Sequence, residues 1–246
     1  MARFWVFTVI AIGVAGCRSA EKRAGEISPV EVSRLTAGRS LENRPIEAVI
    51  LGRGSDVVLI LASIHGNEKA GTPLVNRLQT HLLAHPELMA GRRVVIVPVA
   101  NPDGSAKNIR TNARGVDLNR NYPTNNRVAG RKSGIVGLSE PESQAIDKVM
   151  TIYPPARIVS IHQPLTCVDY DGPGQELAHR MSSASGLPVR KLGGLPGSLG
   201  SYAGMAMGIP TITYELPRSA DSLNVVALWD QYGAGLVEAV RFELGR

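Results

Sequence analysis

His65 and Glu68, two residues with metal-binding side chains, directly follow an apolar run in the sequence. The run 57–62 contains no polar residue, which is typical of a strand buried on both faces of a sheet. A histidine and a glutamate three positions apart can direct an imidazole and a carboxylate to one point, and they supply two ligands of a His2Glu zinc site. The alternative is a polar strand end with Glu68 in a helix's first turn, where the macrodipole favours an acid.

Three further runs, mainly apolar, also end at polar residues: 93–99 before Asn101, 157–161 before His162, and 210–214 before Glu215. The carboxyl ends of neighbouring parallel strands share one edge of a sheet, where open α/β folds bind their ligands. We therefore expect His162 to be a third metal ligand and Glu215 to face the metal as a general base. The alternative for His162 is a structural role at a strand end.

The segment 110–123 contains many polar residues and no amphipathic period. It follows the turn-like sequence Asn101-Pro102-Asp103-Gly104, so we expect it to begin at the same sheet edge. Its arginines have planar guanidinium groups that match carboxylates bidentately. A loop that binds a carboxylate and a developing oxyanion would explain this composition.

The residue patterns of the segments between and after these runs predict helices that pack on the sheet. Leucines four apart predict a helix over 68–83, and apolar spacing predicts another over 222–242. Ser139 and Glu142 have the spacing of a capping box that opens a third helix. The segment 172–210 is rich in glycine and proline, and it is either a backbone surface beside a ligand or a plain connector. Together these patterns predict an α/β fold, a single domain with a mixed, mostly parallel central sheet flanked by helices.

Composition limits the classes of partner. A chain of 246 residues with 43% hydrophobic composition is long enough for one domain with a sizeable core. The formal net charge of +6 suits an anionic cell envelope or substrates that carry carboxylates. Aromatic residues make up only 4%, and no basic run is interleaved with them, so we do not expect nucleic acid as a partner. Composition predicts no particular oligomeric state.

Residues 1–17 have the features of a secretory signal, with one positive charge, an apolar run and small residues. The run is shorter than the ~20 apolar residues of a membrane-spanning helix. Val14-Ala15-Gly16-Cys17 resembles the bacterial lipoprotein cleavage box, so we predict that Cys17 is lipidated and anchors the chain to a membrane. Arg18 follows this cysteine in place of an acid, and by resemblance to envelope sorting rules this predicts the outer membrane in a cell that has one, with the domain on the periplasmic face of the cell envelope. The alternatives are ordinary signal cleavage nearby or an uncleaved anchor.

Residues 18–44 are polar and show little periodicity. They predict a tether between the anchor and the folded part of the chain. The folded domain is therefore expected to span residues 45–246.

The motifs occur in the order seen in the M14 family of zinc carboxypeptidases, which the sequence resembles from about Pro45 to its end. They are His65-Gly66-Asn67-Glu68, Asn101-Pro102-Asp103-Gly104, Arg114-Gly115-Val116-Asp117-Leu118-Asn119-Arg120-Asn121, Ser139-Glu140-Pro141-Glu142, Ser160-Ile161-His162 and Thr213-Tyr214-Glu215-Leu216. The resemblance implies a zinc carboxypeptidase-like fold and one Zn²⁺ per chain. Its ligands would be His65, Glu68 and His162, with Glu215 as the catalytic base.

The resemblance also implies roles in substrate binding. Arg110 matches the arginine that stabilises the oxyanion, with Arg114 as a competing candidate. Asn119 and Arg120 match the pair that grips the free carboxylate of the substrate. Tyr202 is the nearest candidate for the tyrosine that closes over the substrate in digestive members of the family.

Within the family, the compact length and the segment 162–169 look most like members that act on peptidoglycan. This implies hydrolysis of the amide bond between γ-D-glutamate and meso-diaminopimelate in peptidoglycan-derived peptides. We add the hypothesis that Asp169 pairs with the ammonium group of the diaminopimelate side chain. The alternative for Asp169 is a solvated acid in a loop.

Two other functions are compatible with parts of the pattern. An aspartoacylase-like deacylase of N-acyl amino acids shares the His-Gly-Asn-Glu signature, although 101–104 and the Ser139 motif fit a peptidase better. A lipid-anchored protein that binds muropeptides without cleaving them is the alternative from outside the enzymes. The presence of all candidate catalytic groups argues against it.

Overall fold

A seven-stranded sheet forms the centre of the domain in the computed structural model, which describes Met1 and residues 29–243. The strands are β1 (Val32–Arg39), β2 (Pro45–Leu51), β3 (Asp56–Leu61), β4 (Arg92–Val97), β5 (Arg157–His162), β6 (Leu165–Asp171) and β7 (Thr211–Pro217). Their order across the sheet is β1-β2-β4-β3-β5-β7-β6.

The central strands β4, β3, β5 and β7 are parallel, whereas β1, β2 and β6 pair antiparallel towards the two edges. Every residue of β5 is buried, as expected for a strand covered on both faces. This confirms the predicted α/β domain with a mixed central sheet. The parallel arrangement places the ends of β3, β5 and β7 at one edge.

The helices are α1 (Gly71–Ala84), α2 (Pro102–Lys107), α3 (Pro141–Ile152), α4 (Gln175–Ser185) and α5 (Val225–Arg241). Residues of α1, α4 and α5 share one hydrophobic core, and those of α3 and the π-helical turn Gly200–Ala206 share the other. Leu74, Leu78 and Leu82 of α1 are fully buried, which confirms the predicted period. Each such side chain contributes roughly 1.5–3 kcal/mol of transfer free energy.

The prediction that residues 18–44 form a tether is wrong for the part that the structure describes as β1. This strand pairs with β2 from Val32 opposite Leu51 to Arg39 opposite Pro45. Most of its residues are exposed, so the strand shows no apolar alternation in the sequence. Backbone hydrogen bonds to β2 hold it in the sheet, and the domain therefore begins before Pro45.

Three other local features of the structure differ from the predictions. Helix α1 begins at Gly71, so Glu68 lies in the preceding loop. The segment 172–210 contains α4 and is not a plain connector. Asn101 does not occupy a simple turn, because its side chain accepts a hydrogen bond from Gly104 N at the start of α2. A side-chain cap of this kind satisfies one of the free N–H groups of a helix.

The predicted signal at 1–17, with Cys17, and the first part of the predicted tether lie outside the described residues. Among the helices of the described chain, none has the length and apolar character needed to cross a membrane.

Candidate active site

Three side chains converge where β3 and β5 end. Nδ1 of His65 lies 2.7 Å from Oε1 of Glu68, and Nδ1 of His162 lies 2.9 Å from Oε2 of the same carboxylate. The two Nδ1 atoms are 3.2 Å apart, and all three residues are buried. The structure thus brings together the three residues proposed as metal ligands, although His162 is far from the other two in the sequence.

A tight turn after β3 places His65 and Glu68. Ser63 has a φ of +53°, a conformation uncommon for residues other than glycine. A Cβ at Gly66 would lie 2.0 Å from the carbonyl carbon of Gly104, so only glycine fits there. Asn101 Nδ2 donates to Ile64 O over 3.2 Å. The start of α2 therefore supports this turn, which explains why the motifs 65–68 and 101–104 are needed at one site.

The second ring nitrogen of each histidine also has a partner. Asp117 Oδ1 lies 3.0 Å from His65 Nε2, and Ser160 Oγ lies 2.9 Å from His162 Nε2. Partners of this kind fix the tautomer and orientation of a metal-binding imidazole. Neither Asp117 nor Ser160 was predicted from the sequence to have a role in the site. Two features of the sequence could have identified them. Asp117 lies inside the motif 114–121, and Ser160 lies two residues before His162.

The electrostatics of the group favour an ionised carboxylate. Burial by itself raises the pKa of Glu68, but the charge of His162 and hydrogen bonds from both histidines lower this pKa to about 2. Burial likewise opposes protonation of His65, yet hydrogen bonds to Asp117 and Glu68 raise its pKa above the ordinary value. A buried carboxylate that holds two imidazoles is thus negatively charged at neutral pH, as a metal ligand must be.

These donors fit a zinc ion. One potential ligand atom from each of His65, Glu68 and His162 lies within 4.8 Å of the others. Two imidazole nitrogens and one carboxylate form a ligand set that zinc uses in hydrolases. The three residues also line an open cleft of about 200 Å³. A site on the wall of a cleft keeps a coordination position for water or substrate, which distinguishes a catalytic zinc site from a structural one.

Most of the other predicted site residues line the same cleft, namely Arg110, Asn119, Arg120, Asp169 and Glu215. Glu215 in β7 pairs with His162 in the register of the two strands, so its carboxylate enters the cleft beside the histidines. Its Oε2 accepts a hydrogen bond of 3.1 Å from Leu165 N. Two carboxylates from different strand ends, Glu68 and Glu215, therefore face one cleft.

Residues 110–121, which we call the strap, carry the cationic side of the cleft. Near one end, the buried Asn112 donates through Nδ2 to Glu140 Oε2 over 2.8 Å and to Glu142 Oε2 over 3.1 Å. At the other end, Asn121 Oδ1 accepts from Glu140 N over 3.1 Å. The strap is thus fastened at both ends to the start of α3.

The predicted capping box at Ser139 is wrong. Helix α3 has Glu140 at its N-cap position, and Ser139 Oγ donates to the Glu140 carboxylate over 2.9 Å. Glu142 is buried and accepts from Leu41 N over 3.2 Å as well as from Asn112. The carboxylates of Glu140 and Glu142 therefore accept hydrogen bonds from other segments and do not cap the free N–H groups of α3.

The structure places the two arginines that are candidates for stabilising the oxyanion in different surroundings. Arg110 Nη1 lies 3.5 Å from Glu68 Oε1, and Arg110 Nε donates to Asp117 Oδ2 over 3.0 Å. Arg114 Nη1 lies 3.1 Å from each carboxylate oxygen of Glu140, away from the cleft lining. Only Arg110 is placed beside the candidate metal ligands.

Tyr202, the proposed substrate-closing tyrosine, does not line the cleft. Its ring stacks on Tyr122 with the centroids 5.5 Å apart, and its hydroxyl donates to Asp147 Oδ1 over 2.9 Å. Tyr202 therefore packs, partly buried, against the second core in this structure, and its role in closing over a substrate stays a prediction.

Asp169 lies in β6 and is buried, so the alternative of a solvated loop acid is wrong. Its Oδ1 accepts a hydrogen bond of 2.8 Å from Leu192 N. Burial raises the pKa of this carboxyl group. Asp169 is therefore a polar group built into the wall of the cleft.

Replacing Asp117 with Asn is expected to lower zinc affinity about 10–100-fold, because the neutral amide no longer stabilises the Nε2–H of His65 as a carboxylate does. Competition with a zinc chelator measures the affinity. Asp230→Asn, which removes an exposed acid from α5, is the matched control. Equal zinc affinity in wild type and the Asp117 variant would show that Asp117 does not tune the site.

Comparisons with known proteins agree with this geometry. A family model described as zinc carboxypeptidase matches residues 22–171. Murein peptide amidase A of Escherichia coli K12 is 35% identical over 201 residues, which cover 73% of this chain and 79% of the relative. The enzyme of the same name from Vibrio campbellii is 30% identical over 223 residues, or 83% of this chain and 86% of the relative.

Solved structures give the same result. The crystal structure of a murein-tripeptide amidase from Escherichia coli O157 aligns with a TM-score of 0.70 and 27% identity, covering 92% of this chain and 98% of that one. Carboxypeptidase A from Helicoverpa armigera shares the fold with a TM-score of 0.70 at 21% identity, over 86% of this chain and 69% of that one.

Proposed function

Because the chain belongs to the M14 family of zinc carboxypeptidases and is a hydrolytic enzyme, we propose that it cleaves an amide bond next to a free carboxylate in peptidoglycan-derived peptides. The bond is that between γ-D-glutamate and meso-diaminopimelate. The observation that carries this proposal is the convergence of His65, Glu68 and His162 with Glu215 in one cleft. The similarity to murein peptide amidases supports the substrate class.

His65, Glu68 and His162 are the residues that would hold the zinc ion. Bound zinc supplies a Lewis acid that activates water and polarises an amide carbonyl. Glu215 accepts a proton from the attacking water and donates it to the departing amine, the two halves of general acid–base catalysis. Its position beside His162 in the sheet register supports this role.

The strap supplies the groups that bind and orient the substrate. Arg110 donates hydrogen bonds to the oxyanion that develops on the amide carbonyl, and the placement of its guanidinium 3.5 Å from Glu68 supports this assignment. Asn119 and Arg120 bind the free carboxylate of the substrate. Arg120 offers several donors for this purpose, and Leu199 N donates to Asn119 Oδ1 over 2.9 Å, which orients the Asn119 amide. Asp169 pairs with the ammonium group of the diaminopimelate side chain.

The test uses the purified full-length protein loaded with zinc and the tripeptide L-Ala-γ-D-Glu-meso-diaminopimelate. We expect the products L-Ala-D-Glu and free diaminopimelate, identified by their masses. N-acyl amino acids are tested in parallel. Cleavage of these alone would identify a deacylase, and binding of the tripeptide without release of diaminopimelate would identify a binding protein. Either result would overturn the proposal.

We also propose that the enzyme is an envelope lipoprotein anchored through Cys17, most simply in the outer membrane facing the periplasm. The sequence Val14-Ala15-Gly16-Cys17 supports this location. We expect Cys17→Ser to abolish incorporation of labelled fatty acid and to release the protein from the membrane fraction. Labelling of the Cys17 variant at the wild-type level would contradict the anchor.

A further inference from the structure

Residues 127–136, which we call the basic hairpin, follow the strap and take no part in the site described above. The sequence between Asp117 and Glu140 contains four basic residues and no acidic one. Three of these four cations fall within the basic hairpin, together with three aliphatic residues. This segment therefore carries a positive charge that none of its own side chains neutralises.

Hydrogen bonds give the basic hairpin a defined shape. Gly130 N donates to Gly134 O over 3.2 Å, which closes a turn over residues 131–133. The guanidinium of Arg127 donates to Ser133 O over 2.8 Å and also to Gly134 O. Asn121 of the strap donates through Nδ2 to Ser133 O over 2.9 Å. The turn is therefore fixed against the strap, which lines the cleft.

Three aliphatic side chains of the basic hairpin are exposed. Val128 is 69% exposed, Ile135 85% and Val136 61%. Ser133 Oγ donates to Val128 O over 2.6 Å, which joins the two arms that carry these residues. Hydrophobic residues scattered singly over a surface are normal, whereas several on one small element mark an interaction site. The basic hairpin is thus a candidate for contact with a partner.

The charge of the hairpin is available to that partner. Arg131 and Lys132 at the turn are both exposed. The nearest acids along the chain, Asp117 and Glu140, each already form an ion pair with an arginine of the strap. A dissolved polyanion would pair with the two cations but leave the aliphatic side chains in water. A bilayer with anionic lipids accommodates both, because its headgroups attract cations and the layer beneath them receives apolar side chains.

We propose that the basic hairpin docks the domain on a membrane surface that carries anionic phospholipids. Arg131 and Lys132 donate to lipid phosphates, and Val128, Ile135 and Val136 enter the layer between the headgroups and the acyl chains. Because the hairpin is bound to the strap, docking places the cleft beside the membrane. The contact is independent of the hydrolysis and of the lipid anchor proposed above.

The test measures partition of the full-length protein onto vesicles by sedimentation. Every protein carries Cys17→Ser, so that no acyl chain contributes, and residues 1–17 are common to all. The vesicles are phosphatidylcholine alone or with about one third phosphatidylglycerol. Arg131→Gln with Lys132→Gln is expected to lower partition onto the anionic vesicles roughly 30-fold, since each basic residue near such a surface contributes about fivefold. Ile135→Ser with Val136→Ser is expected to lower it at least about tenfold.

Matched control variants remove the same groups elsewhere. Arg34→Gln with Arg77→Gln takes two exposed cations from β1 and α1, and Val225→Ser with Val226→Ser takes two exposed aliphatic side chains from the start of α5. Both pairs are expected to leave partition within about twofold of the parent, because neither lies on the basic hairpin. Thermal unfolding checks that every variant is folded.

Ile135→Trp provides a local measurement that residues 1–17 do not affect. The emission of the added tryptophan is expected to shift to shorter wavelength on anionic vesicles and to stay unchanged on phosphatidylcholine. Absence of this shift, or wild-type partition in both hairpin variants, would overturn the inference. Self-association without vesicles that Ile135→Ser abolishes would assign the surface to a second copy of the chain and overturn it as well. Failure to cleave the tripeptide would instead overturn the proposed function and leave this inference intact.

Discussion

Replacing Glu215 with Gln is expected to lower kcat on the tripeptide about 10²–10⁴-fold, the usual contribution of a positioned general base. The amide has the size of the carboxylate and retains an oxygen that can accept from Leu165 N, which now bonds to Glu215 Oε2 over 3.1 Å. The local fold should therefore persist while the proton acceptor is lost. Steady-state kinetics at full zinc occupancy measure the change.

The metal content of the Glu215 variant separates a catalytic from a ligand role. Glu215 is not one of the three residues whose donor atoms cluster within 4.8 Å, so the variant should bind zinc as wild type does. Glu176→Gln, an exposed acid on α4, is the matched control and should keep wild-type kcat. A Glu215 variant with full zinc and a kcat within tenfold of wild type would exclude Glu215 as the base.

Replacing His162 with Ala is expected to abolish both stoichiometric zinc binding and hydrolysis. The change leaves only His65 and Glu68 as donors and removes the neighbour whose Nδ1 lies 2.9 Å from Glu68 Oε2. Loss of a partner outside the ligand set typically costs about 10–100-fold in metal affinity. Loss of a ligand should exceed this, so dialysis should strip the ion. Elemental analysis after dialysis, together with kcat, measures both effects.

Removal of zinc from the wild-type protein should have the same effect on kcat. Treatment with a chelator is expected to remove activity, and added zinc is expected to restore it in wild type but not in the His162 variant. His85→Ala is the matched control, because His85 is an exposed histidine at the end of α1. Full zinc content in the His162 variant after dialysis would rule out the assigned ligand set.

Parts of the fold could not be predicted because their residues carry weak local patterns. β1 is mostly exposed and stays in the sheet through backbone pairing with β2, so its polar sequence was interpreted as a tether. Helix α4 lies inside a segment whose glycines and prolines obscured its three buried apolar residues. Ser139 and Glu142 have a capping spacing, yet Glu142 accepts from Asn112, a residue 30 positions away.

The sequence by itself determined the central strands and the residues at their ends. A continuous apolar run is stable as a strand covered on both faces, and parallel strands bring their carboxyl ends to one edge. These patterns predicted that His65, Glu68, His162 and Glu215 would lie together. The local sequence pattern was sufficient to predict these positions, because an apolar run forms a buried strand and the end of that strand sets the position of the residue that follows.

Only the tertiary structure decided which side chains complete the site. It paired Asp117 with His65 beside the candidate metal ligands, and it paired Arg114 with Glu140 away from the cleft. Each pairing joins residues far apart in the chain and depends on the path of an irregular loop such as the strap. The sequence specifies the charge and size of each side chain. The packing of whole helices, strands and loops sets the distances between side chains, and therefore which of them form hydrogen bonds.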